Sequence, residues 1–332
     1  MDASDLPRPG PDHETLPGRV GAVIIGRNEG ARLLACLDSF PAWVRPLVYV
    51  DSGSTDGSVA AALAAGAEVV ALDMTQPFTA ARARNAGFAR LREMGAPDFV
   101  QFIDGDCRIQ PGWIEAAEAF LTARPEVAVV CGRRREIRPE ASIWNRLCDA
   151  EWDTPVGEAR ACGGDALMRV AAVAGVGGYD PALIAGEEPE LCVRLRQSGW
   201  RIWRIGREMT LHDAAMTRIG QWWKRTRRGG HAFAEGAAMH GAPPERHWVA
   251  ETRRALLWGA VLPLAVLVGL ALTPWAALVL LIYPLQILRL SRRMGWERAT
   301  FLVLGKFPEA QGVLEYHLNR LRRRRAGLIE YK

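Results

Sequence analysis

From Val20 onward, short apolar runs alternate with stretches of helical spacing. Residues 20–25, 46–50, 68–72, 99–103 and 127–131 read as strands. Residues 29–40, 56–65, 80–92 and 111–123 read as helices. This alternation predicts an α/β domain whose mostly parallel sheet is flanked by helices. In such sheets a ligand sits beyond the carboxyl ends of the strands. Residues 138–241 are less regular. They carry Gly163-Gly164-Asp165, a turn at 175–178, a helix over 189–198 and a short strand over 201–205.

The pattern then changes. From Ala255 the chain has no charged side chain until Arg289. That run exceeds one span of roughly 20 residues and suits two, with Thr273-Pro274-Trp275 at the turn; the alternative is a single tilted or re-entrant segment. Arg253 and Arg254 precede it, and Arg289, Arg292 and Arg293 follow, which places both ends on the cytoplasmic face of an inner membrane. Residues 301–332 mix apolar and basic side chains at helical spacing and are expected to lie along the membrane surface. The resulting division is a disordered leader without signal-peptide character (1–18), a catalytic domain (19–241) and a linker (242–252). A membrane hairpin (253–290) and a basic amphipathic tail (291–332) complete it.

Composition adds modest constraints. A chain of 332 residues with 49% hydrophobic and 24% charged residues can bury a substantial core. The net charge of +5 gathers at Arg133-Arg134-Arg135, at Lys224-Arg225 with Arg227-Arg228, and at 322–325. The last two groups flank the apolar run, which favours anionic lipid headgroups or phosphorylated substrates over nucleic acid. Six cysteines are spread singly with no CxxC pair, excluding a zinc ribbon or thioredoxin-like motif and fitting a reducing compartment.

Two strand ends carry candidate chemistry. Asp104-Gly105-Asp106 follows an apolar strand, and side chains two apart in an extended segment point the same way, toward one hard cation such as Mg2+ or Mn2+. Asp51 ends another strand before Ser52-Gly53-Ser54-Thr55-Asp56-Gly57-Ser58, a run suited to a tight loop and a helix start. Asp56 is explained as a cap. Asp51 is not, and its carboxylate can accept hydrogen bonds from a base or ribose.

Arg27-Asn28-Glu29, the Asp51–Ser58 run, Ala83-Arg84-Asn85-Ala86-Gly87 and Asp104-Gly105-Asp106 occur in that order. With Gly163-Gly164-Asp165 and Gly186-Glu187-Glu188-Pro189-Glu190-Leu191, they resemble family 2 glycosyltransferases of the GT-A fold over residues 19–241. The resemblance implies a nucleotide-sugar donor held by Arg27, Glu29, Asp51, Arg84 and Asp104. It implies a divalent metal at Asp104, Asp106 and His212, and a catalytic base at Glu188 or Glu187, Glu188 being favoured. The family more often has Asp at the second acid and Asn in place of Asp165. Gly164, Asp165, Trp222 and Trp223 are the acceptor-side candidates. Gln221-Trp222-Trp223-Lys224-Arg225 departs from the spacing of processive synthases and equally suits a membrane-interface belt.

The expected activity is inverting transfer of one sugar, with a UDP-sugar the usual donor, to a membrane-associated, lipid-linked or glycan acceptor in polysaccharide or glycolipid assembly. Alternatives are transfer to polyprenyl phosphate and an inactive membrane scaffold. Nucleotidyl transfer and dinucleotide oxidoreduction are disfavoured, because no glycine-rich phosphate loop follows the first strand.

Overall fold

The structure, a computed structural model, describes residues 19–324 and residue 327; the leader at 1–18 and most of the last eight residues lie outside the described part. The chain divides into two compact units. Among the described residues, one comprises 19–139, 148–183 and 187–214; the other comprises 140–147, 184–186 and the residues from 215 on.

The first unit carries β1 (Val20–Gly26), α1 (Ala31–Asp38), β2 (Leu47–Asp51), α2 (Ser58–Ala64), β3 (Glu68–Ala71) and α3 (Ala80–Glu93). β4 (Phe99–Asp104), β5 (Cys107–Ile109), α4 (Trp113–Ala123) and β6 (Val127–Glu136) follow. Next come α5 (Ile143–Glu151), whose residues are shared between the units, β7 (Gly157–Ala159), β8 (Ala166–Arg169), α6 (Val170–Gly175), α7 (Glu187–Gln197) and β9 (Arg201–His212). The sheet order is β3-β2-β1-β4-β8-β6-β9-β5, with β7 pairing β9.

The expected α/β architecture is present, and the sheet is mixed. β1 to β4 are parallel, as is β6 with β9, whereas β8 runs antiparallel between β4 and β6, and β5 and β7 run antiparallel to β9. The central strands are buried along their length, as expected where helices cover both faces. Gly87 lets α3 approach closely, since a Cβ there would lie 2.5 Å from Val23 and 2.7 Å from Val50. Arg84, one turn earlier, is thereby carried down to the sheet.

Several boundaries differ from the pattern. α1 begins at Ala31, after a loop that needs positive φ at Asn28 and Gly30. α7 begins at Glu187, so both candidate acids lie in its first turn, where the helix dipole favours negative charge. β9 runs on to His212, beyond the short strand expected at 201–205. The three arginines at 133–135 belong to an extended β6 and are internally neutralised, by Asp149, by Asp104 with Asp165, and by Glu208. They are therefore no open basic patch.

The second unit carries α8 (Ile219–His240), α9 (Val249–Leu256), α10 (Leu262–Leu270), α11 (Ile282–Met294), α12 (Trp296–Leu304) and α13 (Lys306–Leu321). α8 lies within the expected 19–241 domain but groups here, and the connection after it is shorter than 242–252 because α9 starts at Val249. Two continuous helical stretches, Val249–Leu270 and Pro274–Met294, are 22 and 21 residues long and long and apolar enough to cross a membrane. Thr273 caps the second, and the connection leaves Leu272 and Trp275 85% and 73% exposed.

The tail departs from a purely surface-lying helix. α13 packs against α8 at a close crossing where Gly230 faces Glu309 and Gly312 faces Arg227. Leu314, Leu318 and Leu321 remain exposed on α13.

Candidate active site

At the carboxyl end of β1, Asn28 ties two loops together. Its amide donates to Ser54 Oγ at 2.9 Å, and its Oδ1 accepts from Thr55 N at 2.7 Å. Glu29 pairs with Arg32 at 2.8 Å, and Arg27 is exposed at the rim. Asp51 shapes its own loop: its Oδ2 accepts from Gly53 N and Ser54 N, and its Oδ1 from Tyr49 OH. These acceptor positions explain the tight Asp51–Ser58 turn. The carboxylate reserved in sequence for a base or ribose thus has a structural role as well.

Arg84 is the hub. Only 3% exposed, its guanidinium reaches Asp104 Oδ1 at 2.9 Å, Glu187 Oε1 at 2.9 Å and Glu188 Oε1 at 2.8 Å. The resemblance gave Arg84 to the nucleotide; the structure surrounds it with carboxylates from β4 and α7. Asn85 secures the neighbouring turn with two bonds to the backbone of Tyr179. Gly164 lies against the same cluster, since a Cβ there would stand 2.8 Å from Arg84 and 3.2 Å from both Asp104 and Glu188.

The two glutamates are not equivalent. Glu187 is buried, whereas the Glu188 side chain is 12% exposed. Burial, reinforced by the neighbouring Glu187, outweighs the pull of Arg84 and pushes the Glu188 carboxyl up to about 7. A carboxyl so placed exchanges its proton near neutral pH, where a general base is most effective. This supports Glu188 over Glu187.

Asp104 and Asp106 flank a turn, and their donor groups share Cys107. β4 ends at Asp104 and the chain turns through Gly105-Asp106, so the carboxylates enter different clusters of donor atoms. Asp104 joins Cys107 and Asp165 and is held by Arg84 and, at 3.4 Å, by Arg134. Asp106 joins Cys107 and His212, and its Oδ1 is 3.5 Å from His212 Nε2. Antiparallel pairing of β5 with β9 sets Cys107 opposite His212, which brings the histidine to the turn.

The Asp106–His212 pair fits a Mg2+ or Mn2+ ion. An oxygen and an imidazole nitrogen 3.5 Å apart can share one cation with ligand bonds of about 2.1 Å. Burial holds the Cys107 thiol well above its usual range, so it stays protonated and the pair offers hard and borderline donors only.

Asp165, an acceptor-side candidate, is instead buried. It accepts from Thr210 Oγ1 at 2.6 Å and faces Arg134 Nε at 3.3 Å, and its carboxyl is raised by burial. Trp222 and Trp223 belong to the second unit. Trp222 is buried there, stacked on Trp144 at 5.5 Å with Phe301 on its edge, and Trp223 donates to Gln311.

Arg134, Trp152 and Thr210 were missed by the sequence patterns. Arg134 lies in an arginine run that reads in sequence only as a basic cluster. Trp152 and Thr210 carry no sequence signal.

Known proteins resemble this chain in sequence and in fold. The sequence model "Glycosyl transferase family 2" matches residues 22–168. A pre-mycofactocin glycosyltransferase of Mycobacterium tuberculosis is 27% identical over 247 residues, covering 70% of this chain and 50% of the relative. The chain therefore spans about half the length of that relative. The succinoglycan biosynthesis protein ExoA of Rhizobium meliloti is 26% identical over 269 residues, 76% of this chain and 78% of the relative. Among solved structures, a mannosyltransferase from Pyrobaculum calidifontis, in complex with GDP-Man and Mn2+, aligns with a TM-score of 0.63 at 20% identity. That alignment covers 90% of this chain and 88% of that one, and it establishes the shared fold.

Proposed function

Taking as premise a glycosyltransferase with a family 2 domain and the GT-A fold, we propose an inverting, metal-dependent enzyme. It moves one sugar from a nucleotide sugar, UDP-linked by family expectation, to a membrane-associated or lipid-linked acceptor. The observation that carries this is the separation of two functions at adjacent strand and helix ends. Glu188, with its carboxyl raised to about 7, sits on Arg84, while Asp106 lies 3.5 Å from His212.

Glu188 takes the proton of the acceptor hydroxyl as that oxygen bonds to the anomeric carbon and the bond from that carbon to the diphosphate oxygen breaks. Arg84 holds Glu188 in place and keeps Glu187 and Asp104 beside it. Gly164 leaves the space above them open. Asp106 and His212 would hold the divalent ion, which when bound supplies positive charge to the departing diphosphate. Arg27, Glu29 and Asp51 border the donor side.

Membrane attachment is supported by the two apolar helices and by charge. Residues 215–332 carry 19 Lys or Arg against 7 Asp or Glu, while residues 1–214 carry 23 against 30. A positively charged, apolar segment suits the cytoplasmic leaflet of an inner membrane. The same excess favours, as a second reading, a phosphorylated lipid such as polyprenyl phosphate as the acceptor itself.

Turnover of a panel of nucleotide sugars by the purified full chain, with and without Mn2+, tests the proposal. Transfer or hydrolysis should require the metal and fall at least about 100-fold in Asp106→Ala. Undiminished metal-dependent turnover in that variant would refute the assignment, and equal complementation of a deletion by wild type and Glu188→Gln would favour the scaffold.

A further inference from the structure

Trp152 stands one residue beyond α5 and belongs to neither the buried core of the first unit nor the aromatic residues packed against that core. Core packing therefore leaves it unexplained. Its surroundings are polar and specific. The Arg134 guanidinium lies over the indole at 5.0 Å from the ring centroid, and the imidazole of His212 meets the indole at 4.9 Å with an interplanar angle of 87°. Both are favourable geometries for an aromatic face and edge.

The chain on either side of the indole is also tied down. Three residues before it, Asp149 accepts from Arg133 and from Glu136 N at 3.0 Å each, and one residue after it Asp153 pairs with Arg204 at 3.4 Å. Arg134 in turn is fixed by Asp104 and Asp165. The chain thus anchors Trp152 from both sides and sets its ring against one imidazole, whose Nε2 lies 3.5 Å from Asp106 Oδ1.

We propose that Trp152 is a positioning residue that fixes the His212 ring toward Asp106, with Arg134 fixing Trp152. The inference rests on the reading that Asp106 and His212 hold the divalent ion. Residues behind a metal ligand commonly change metal affinity about 10- to 100-fold when replaced. Removing the aromatic surface frees the imidazole to turn away, which lowers affinity without removing either ligand.

The test is Mn2+ binding to the full chain in detergent, read from the free Mn2+ resonance by electron paramagnetic resonance. Melting of each variant is followed in parallel. Trp152→Leu should weaken Mn2+ about tenfold or more with its melting retained, Trp152→Phe should stay within about threefold of wild type, and His212→Ala should lose most binding. If Trp152→Leu does not melt cooperatively, Trp152→Met fills the same space without an aromatic surface and carries the same expectation. Wild-type Mn2+ affinity in the leucine or methionine variant, with binding lost in His212→Ala, overturns the proposal alone. So does a phenylalanine variant as weak as leucine. Unchanged binding in both His212→Ala and Asp106→Ala overturns instead the metal reading beneath it.

Discussion

Replacing Glu188 by Gln should abolish transfer and, in alkaline buffer, make the protein more stable. In the folded chain Glu188 keeps its proton up to about pH 7, whereas its ordinary value is 4.5. Between those values the native state binds more protons than the unfolded state, so stability falls as pH rises through the window. Above about pH 7 the full cost of holding the ionised group in a buried site beside Glu187 is present. Below 4.5 it is absent. The gap between about 7 and 4.5 corresponds to about 3 kcal/mol. Glutamine mimics the protonated form and removes that cost only where wild type is ionised. For a unit of this size, about 3 kcal/mol corresponds to a melting shift of about 6–12 °C. Thermal unfolding of the full chain, followed by tryptophan fluorescence at pH 5 and pH 8, measures it. The expected result is a variant clearly more stable than wild type at pH 8 and nearly equal to it at pH 5. An equal shift at both pH values, or a loss at pH 8, would refute the placement of Glu188 as a carboxylate held against its preference.

Gly164→Ala should reduce kcat/KM by about tenfold or more. Its Cβ would press on Arg84, which three carboxylates hold in place; normal kinetics would show that the cluster can yield. Gly312→Ala inserts a methyl group against the Arg227 carbonyl at the α8–α13 crossing and should destabilise that packing by about 1–3 kcal/mol. Limited proteolysis that cuts this variant no faster than wild type would contradict the close crossing. Flotation with vesicles should be stronger for phosphatidylglycerol-containing than for pure phosphatidylcholine bilayers. Changing Arg253, Arg254, Arg289, Arg292 and Arg293 to Gln should remove the difference, because each arginine near the surface contributes about 1 kcal/mol. Equal flotation of wild type with both vesicle types counts against the headgroup contact.

Much of the fold was legible because its signals are local. The buried runs at β1, β2 and β4 sit inside a sheet, where nearly every side chain before the strand end is apolar on both faces. The apolar stretch between Arg254 and Arg289 yielded two helices for the same reason: its length admits few alternatives. β5, β7 and β8 were not legible. They are three or four residues long and are defined by pairing with β9, β4 or β6, a property of partners distant in sequence.

The site shows the same division more sharply. The family resemblance picked out Asp104, Asp106, Glu187, Glu188 and His212 and set Asp106 with His212, but it did not reveal the contacts of Arg84 with Asp104, Glu187 and Glu188. Local geometry argued that Asp104 and Asp106 act together; the turn at Gly105-Asp106 adds a histidine 106 residues later beside Asp106. Arg84 illustrates the other limit. An arginine near a nucleotide motif suggests phosphate binding, and only the approach of α3 to the sheet at Gly87 shows why it instead meets three acids. A guanidinium committed to Asp104, Glu187 and Glu188 links the β4 end to the α7 start. The proposed base and the acidic strand end are therefore both held by one buried cation, and any change that moves Arg84 should disturb both together.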